Sequence, residues 1–569
     1  MNSVFHELWW GTHRFSSRAM FLACEHGHLD TSSGAVTSQS KEFFLTHINH
    51  LWGGVLLGEV YPTRPSEGSI TRGFVVDSAS SLHALCELIT ELRQVREDVK
   101  FGLHIEQPGA WDDALLANLC EHLDWVEYDL TELTGDVLER TRVLFQDSDT
   151  QLAVSVGLDP DEGVEQLELP RALLAQVNVT SAPVLVHVSF ARDAYKHCVA
   201  GSERASAKLG KLAQQLVQDT PHFLMVSGRI KHAEDGRRVL DFHGASFIGM
   251  TRAALAEPQI LRRDAERKMS IFCTGCMACV PEVSRAVQAV LPQRMCNLHV
   301  PSSFDASLMS GKSLAMIGAS YMALTMAEQA ALAGATQVTV YTMGVTQGGL
   351  MRLRGRIPGQ AESAEAVFQR LEQCRAQPVI QWDNTPYQAH ELVEKIANEP
   401  VDEVFVSLMP DMVFCADGTG LPDVQQLDAM RVLQEGSTRR AYPDMSFAHP
   451  IIVLGTDLFA ADLALYIRMQ DHPVWYVSEQ VAGDSHEAWQ EVCVARLKDR
   501  GVEMLDRLPC EGETLPESWE KGVYVVDTRG GFQVSGLERE LVSTLGRDVT
   551  IVRDTYEPLA LLKMVQEII

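Results

Sequence analysis

Cys273, Cys276, Cys279 and Cys296 are the residues of this chain with the clearest chemical spacing. They lie in the stretch FCTGCMACVPEVSRAVQAVLPQRMC. Two-residue gaps put three thiolates on one tight loop, and the fourth returns after sixteen residues. A compact three-cysteine loop with a distant fourth can converge on one iron–sulfur cube. A structural zinc site also uses paired cysteines at this spacing. A third reading is that the cysteines are simply buried. Ligand chemistry favours the cluster, since four soft thiolates suit it well.

The other cysteines, Cys24, Cys86, Cys120, Cys198, Cys374, Cys415, Cys493 and Cys510, are scattered singly. They show no pairing rhythm, so no disulfide framework is expected. The start, MNSVFHELWWGTHRF, lacks the basic residues and apolar run of a secretory signal. No uncharged apolar stretch reaches bilayer length. These features together predict a reducing, cytoplasmic setting.

At 569 residues, 46% of them hydrophobic, the chain is too long for one core and suggests about three domains. Its formal net charge of -28 repels phosphate backbones and anionic lipid surfaces. Nucleic acid and membranes are therefore not expected partners.

The elements that would carry the cysteines begin with a strand–helix alternation over residues 1–265. GGVLLGEVY, KFGLHIEQ, LDWVEYDL, QLAVSVGL, PVLVHVSF, HFLMVSGRI and ASFIGMTRA read as strands. Amphipathic stretches such as SLHALCELITELRQVRED lie between them. This many units predict an α/β fold with an N-terminal (β/α)8 barrel. Residues 266–310 break the rhythm and form the cysteine module. Two strand–glycine–helix openings follow, at Ser313 with its turn at Gly318, and at Pro450 with its turn at Gly455. Each opens like a dinucleotide-binding βαβ unit, although any doubly wound domain can open that way. The expected division is 311–448 with 520–569 as one Rossmann-like domain, and 449–519 as a second inserted into it.

Barrel, cysteine module and two nested dinucleotide-type domains form an unusual order. With VSGRI (226–230), GMTRAALAEP (249–258), CTGCMAC, Cys296-Asn297 and IVRDTYEP (551–558), the chain resembles the long members of the old yellow enzyme superfamily. These are the trimethylamine dehydrogenase, histamine dehydrogenase and 2,4-dienoyl-CoA reductase type. The resemblance implies FMN in the barrel, a [4Fe–4S] cluster on Cys273, Cys276, Cys279 and Cys296, and a disulfide-reductase-type FAD/NAD(P) module. It implies that Gly228, Arg229 and Arg252, at C-terminal strand ends, lie beside the FMN phosphate, and that Gly318 and Gly349 line the FAD site.

Other positions depart from the family. A Gln-x-x-His stretch reads His104-Ile105-Glu106-Gln107. Tyr128-Asp129-Leu130-Thr131 runs almost directly into GDVLERTRVLF, so the substrate loop is missing. Ser155 stands for the arginine at the flavin edge, which leaves a bound flavin a poor electron acceptor. Gly318-Ala319-Ser320-Tyr321-Met322-Ala323 replaces the glycine fingerprint, and Thr342 replaces the ribose-binding acid. Asp457 stands where a pyrophosphate would sit, while Glu479 keeps the second domain's ribose acid. Ser407-Leu408-Met409 and Arg553-Asp554 alter two further turns.

Erosion at three sites with the apolar pattern kept implies a chain selected for shape. The expectation is a non-catalytic or electron-relaying iron–sulfur subunit. It would assemble with an intact flavoprotein paralogue, or with other subunits of an oxidoreductase complex, and act in oxidative demethylation of a small methylated amine. The expectation leaves room for FMN in the barrel, whereas FAD is expected not to bind tightly. The alternatives are an active FMN/iron–sulfur oxidoreductase and a scaffold with structural zinc. His26, His28, His47 and His50 read as polar loop residues. Trp9 and Trp10 read as core or interface anchors.

Overall fold

The computed structural model describes residues 3–22, 34–48, 50–63, 73–133, 135–145, 148–177, 183–191, 197, 205–268, 270, 273–274, 306–343, 347–357, 359–408, 411–412, 424–445, 449–482, 487–509, 513–514, 516–519, 523–528, 532–533, 536–545 and 549–551. Backbone contacts divide the chain into two compact units.

The first unit holds a closed parallel barrel of eight strands: β1 (Ala19–Leu22), β2 (Gly54–Tyr61), β3 (Lys100–Ile105), β4 (Trp125–Asp129), β5 (Gln151–Leu158), β6 (Leu185–Phe190), β7 (Phe223–Ser227) and β8 (Phe247–Met250). Each strand pairs with the next, and Ile248 opposite Ala19 and Met20 opposite Gly54 close the ring. Helices cover the outside. Ala79–Val95 is the longest of them, started by a capping box at Ser78 and buried through Leu82, Leu85, Leu88, Ile89 and Leu92. An N-terminal hairpin, Leu8–Trp10 with His13–Phe15, caps the barrel floor. Trp10 and Phe15 are fully buried there with Trp125, Leu185, Met225 and Phe247, whereas Trp9 is exposed.

Alternation along a strand sends every second side chain inward. The residues two positions above this apolar floor are Glu127, Ser155, His187 and Ser227, together with His104 above Gly102. A Cβ at Gly102 would lie 2.1 Å from the Trp125 ring, so the floor closes only with glycine there. A polar layer therefore sits directly on the apolar one, toward the C-terminal ends of the strands.

The second unit holds two all-parallel sheets. One has the order β11 (Ile380–Asp383), β10 (Gln337–Tyr341), β9 (Ser313–Ile317), β12 (Glu403–Val406) and β18 (Val549–Ile551). The other has the order β13 (Val424–Gln426), β17 (Val523–Asp527), β14 (Ile451–Leu454), β15 (Val474–Val477) and β16 (Glu503–Leu505). Strands at 424–426 and 523–527, on either side of residues 449–519, thus belong to the second sheet. No helix among the described residues is long and apolar enough to cross a membrane.

Candidate functional site

The inward polar residues of the barrel form one connected chain. His104 Nδ1 lies 3.1 Å from Glu127 Oε1, and His187 Nδ1 lies 2.9 Å from Glu127 Oε2. His187 Nε2 lies 2.8 Å from Ser227 Oγ, and His104 Nε2 lies 3.5 Å from Glu106 Oε1. Glu127 is only 2% exposed, and Ser227 is 7% exposed. An ionised carboxylate only accepts hydrogen bonds, so both histidines donate to Glu127 from Nδ1.

Burial on its own would favour neutral groups here. Burial pushes His104 down, but its bonds to Glu106 and Glu127 outweigh that and hold its pKa at about 10. Burial pushes Glu127 up, but His187 and His104 outweigh that and hold it at about 2. The barrel interior thus carries an imidazolium–carboxylate pair at neutral pH. The ends of β3 and β4 above it carry carboxylates. Burial raises the pKa of Glu132, and Glu106 and Asp129 beside it raise it further.

β4 ends at Asp129 and the next helix begins at Gly135, so the connection is short. Asp129 Oδ1 accepts from Thr131 N and Thr131 Oγ1 at 2.8 and 2.6 Å, which folds the connection onto itself. Ser155 Oγ donates to the Tyr128 carbonyl at 3.4 Å.

The expected phosphate residues follow β7 and β8. Gly228 has φ +122°, and a Cβ there would lie 2.7 Å from the Phe190 ring. Arg229, with φ +56°, is 8% exposed. Arg252 opens a short helix, Arg252–Ala256, just past β8. Cys273 is half-buried. Cys276, Cys279 and Cys296 lie outside the described residues, as do His26, His28, Met409 and Arg553-Asp554. His47 is not a loop residue: it sits in the last turn of the helix Ser38–Ile48, buried and stacked on Phe21 with centroids 4.8 Å apart. Its ring supplies apolar area to the core while Nδ1 stays bonded to the Phe43 carbonyl at 2.8 Å.

In the second unit, Gly318 has φ +94°, and a Cβ there would lie 2.0 Å from the Ser407 carbonyl oxygen. Ser320 caps the helix Tyr321–Leu332, accepting from Ala323 N at 3.1 Å, and its hydroxyl lies 2.6 Å from Ser407 Oγ. Ser320 is 3% exposed. The turn at Gly348 and Gly349 folds against this loop, with Gly348 N donating to the Ala319 carbonyl at 2.6 Å. Thr342, buried, bonds Asn384 at 3.2 Å. In the second sheet's unit, Asp457 caps the helix Leu458–Arg468 through Ala460 N at 2.8 Å. A Cβ at Gly455 would lie 2.0 Å from Thr528 Oγ1. Glu479, just past β15, is exposed.

A dinucleotide pyrophosphate needs free amides at such a helix start and close backbone approach. Here a serine hydroxyl and a carboxylate already take first-turn amides. The glycine at each turn is required by a neighbouring strand or threonine. These residues do not fit FAD in the first sheet's unit.

Sequence reasoning named His104 and Ser155 only as departures from the family and gave no role to Glu127, His187 or Ser227. It also missed the group at the end of β5, where His197 Nε2 lies 2.8 Å from Asp159 and 3.6 Å from Asp161, with Lys208 2.9 Å from Asp161.

No family model matches the chain, and no curated protein matches it. Solved structures do match over nearly its whole length. A 2-naphthoyl-CoA reductase in complex with 2-naphthoyl-CoA superposes with a TM-score of 0.75 at 14% identity, covering 98% of each chain. Histamine dehydrogenase from Rhizobium sp. 4-9 gives 0.74 at 13%, covering 99% of this chain and 96% of that one. 6-Hydroxypseudooxynicotine amine oxidase from Pseudomonas geniculata N1 gives 0.72 at 15%, covering 98% of both. The chain therefore has the full-length fold of these barrel-containing enzymes. Histamine dehydrogenase is one of the enzymes to which the sequence resemblance points, and the α/β barrel fold implied by that resemblance is the fold observed.

Proposed function

We propose that this chain is an iron–sulfur subunit of a flavoprotein oxidoreductase, non-catalytic itself or relaying electrons. Its partner would be an intact flavoprotein paralogue that oxidatively demethylates a small methylated amine. The observation that carries this reading is the pair of self-capped helices at Ser320 and Asp457 in a chain that keeps the full-length fold. A fold that satisfies its own cofactor positions with side chains has kept its shape without the cofactor.

Two of the enzymes superposed above, by name, act on amines, and this supports the substrate class. Cys273, Cys276, Cys279 and Cys296 would hold the cluster, and Gly228, Arg229 and Arg252 would face an FMN phosphate. A bound cluster would supply one-electron transfer. The short β4 connection and Ser155 leave the barrel without a substrate loop or a flavin-edge arginine of its own.

The charged layer on His104 and Glu127 favours a second reading, an active FMN/iron–sulfur oxidoreductase. One assay separates the two. The chain alone, reconstituted with FMN, is offered small methylamines with an artificial electron acceptor. The subunit reading expects no turnover. Robust turnover abolished by Arg252→Ala establishes the second reading instead.

A further inference from the structure

We propose that Ser227 is a nucleophile, with His187 as its general base and Glu127 as the carboxylate that positions the base. Together they form an acyl-accepting site inside the barrel for small esters. The inference does not rest on the subunit reading.

Three observations support it. The base lies 2.8 Å from the hydroxyl, and the carboxylate lies 2.9 Å from the far side of the base. This is the nucleophile–base–orienter geometry that unrelated hydrolases share. Glu127 bonds both histidines with its two oxygens, so the carboxylate cannot swing away. With Nδ1 directed at Glu127, the His187 ring turns Nε2 toward the Ser227 hydroxyl.

The second observation is position. Ser227 ends β7, at the face where barrels keep their active sites. The third is the backbone after it. Gly228 and Arg229 have consecutive positive φ angles of +122° and +56°. In other α/β enzymes the nucleophile sits on a strained turn at a strand end, and here such a turn follows Ser227 directly.

In the step, Ser227 Oγ attacks the ester carbonyl carbon. The Oγ–C bond forms and the hydroxyl proton passes to His187 Nε2. The ester C–O bond then breaks, and the leaving alcohol takes that proton. Water reverses the sequence, releasing the acid and restoring Ser227.

The test uses the full chain and a small neutral phosphorofluoridate, diisopropyl fluorophosphate. The P–O bond forms at Ser227, fluoride leaves, and the adduct is located by intact mass and peptide mapping. The expected result is one adduct on Ser227, absent in Ser227→Ala and slowed about 100-fold or more in His187→Gln. Should His187→Gln fail to fold, the wild-type labelling rate between about pH 5 and about pH 9 decides. The rate is expected to rise as a base deprotonates, which a purely structural hydrogen bond would not produce. No adduct on Ser227 in the folded chain, equal labelling in folded His187→Gln, or a pH-independent rate would overturn the proposal.

Discussion

The barrel interior and the two Rossmann-like sheets meet the same demand in opposite ways. Both place polar groups where a ligand could use them. In the barrel these groups are side chains linked to one another, from Glu106 through His104, Glu127 and His187 to Ser227. The network is charged and ends at a 7% exposed hydroxyl. In the sheets the polar groups are helix-start amides, and at each of two starts one amide is met by a side-chain oxygen of its own chain. A helix start leaves unsatisfied amides whatever its function. At these two starts a serine and an aspartate take that part. The comparison teaches that one side chain can complete a helix start at the place where a nucleotide fold leaves room for a phosphate.

Glu127→Gln attacks the barrel side of this comparison and has the largest expected effect. It leaves the His104 charge buried beside a neutral amide, a loss of about 3–5 kcal/mol. Denaturant titration of the barrel's unfolding transition measures it. Wild-type stability should also depend on pH in a stated way. Glu127 is held at about 2 against an ordinary 4.5, so its contribution is complete above 4.5 and is lost as pH falls toward 2. His104 is raised to about 10 from an ordinary 6.5, so its contribution is complete below 6.5 and is lost as pH rises through 10. The pair therefore stabilises the barrel most between those ordinary values. A transition midpoint that does not move between them and pH 10 would remove the charged pair from the account.

On the sheet side, Ser320→Ala removes a helix cap and strips the buried Ser407 hydroxyl of a partner. The expected loss is about 2 kcal/mol, read from the denaturant midpoint. Asp457→Ala removes a cap alone and should lose about 1 kcal/mol. It also opens the helix start, so added sulfate should stabilise Asp457→Ala more than the wild type in a thermal scan. Equal sulfate responses would mean that the carboxylate is not guarding an anion position. Neither variant is expected to oxidise NADH, because the turn at Gly455 remains pressed against Thr528.

Much of the barrel was legible in the sequence. Its strands are short apolar runs bounded by helical stretches, and a parallel barrel buries both faces of each strand. GLHI, WVEY, AVSV and LVHV each interrupt such a run with one polar residue. That lone interruption was the available signal for the interior layer. It cannot say which interruptions meet, because Glu127, His187 and Ser227 come from three strands whose register only the closed barrel sets. The glycine substitutions at Ser320 and Asp457 were legible as obstacles to pyrophosphate. Their positive role as caps was not, since it depends on where each helix starts. The strands at 424–426 and 523–527 are short and flanked by polar residues, so periodicity did not assign them to the second sheet.

Cofactor content of the anaerobically purified chain tests the central claim most directly. The visible spectrum, iron and sulfide analysis, and flavin release on denaturation are read from one sample. The account predicts iron and sulfide at the stoichiometry of one [4Fe–4S] cluster, lost in Cys276→Ser, with no FAD released. Stoichiometric zinc, or stoichiometric FAD released from the wild-type chain, would contradict it.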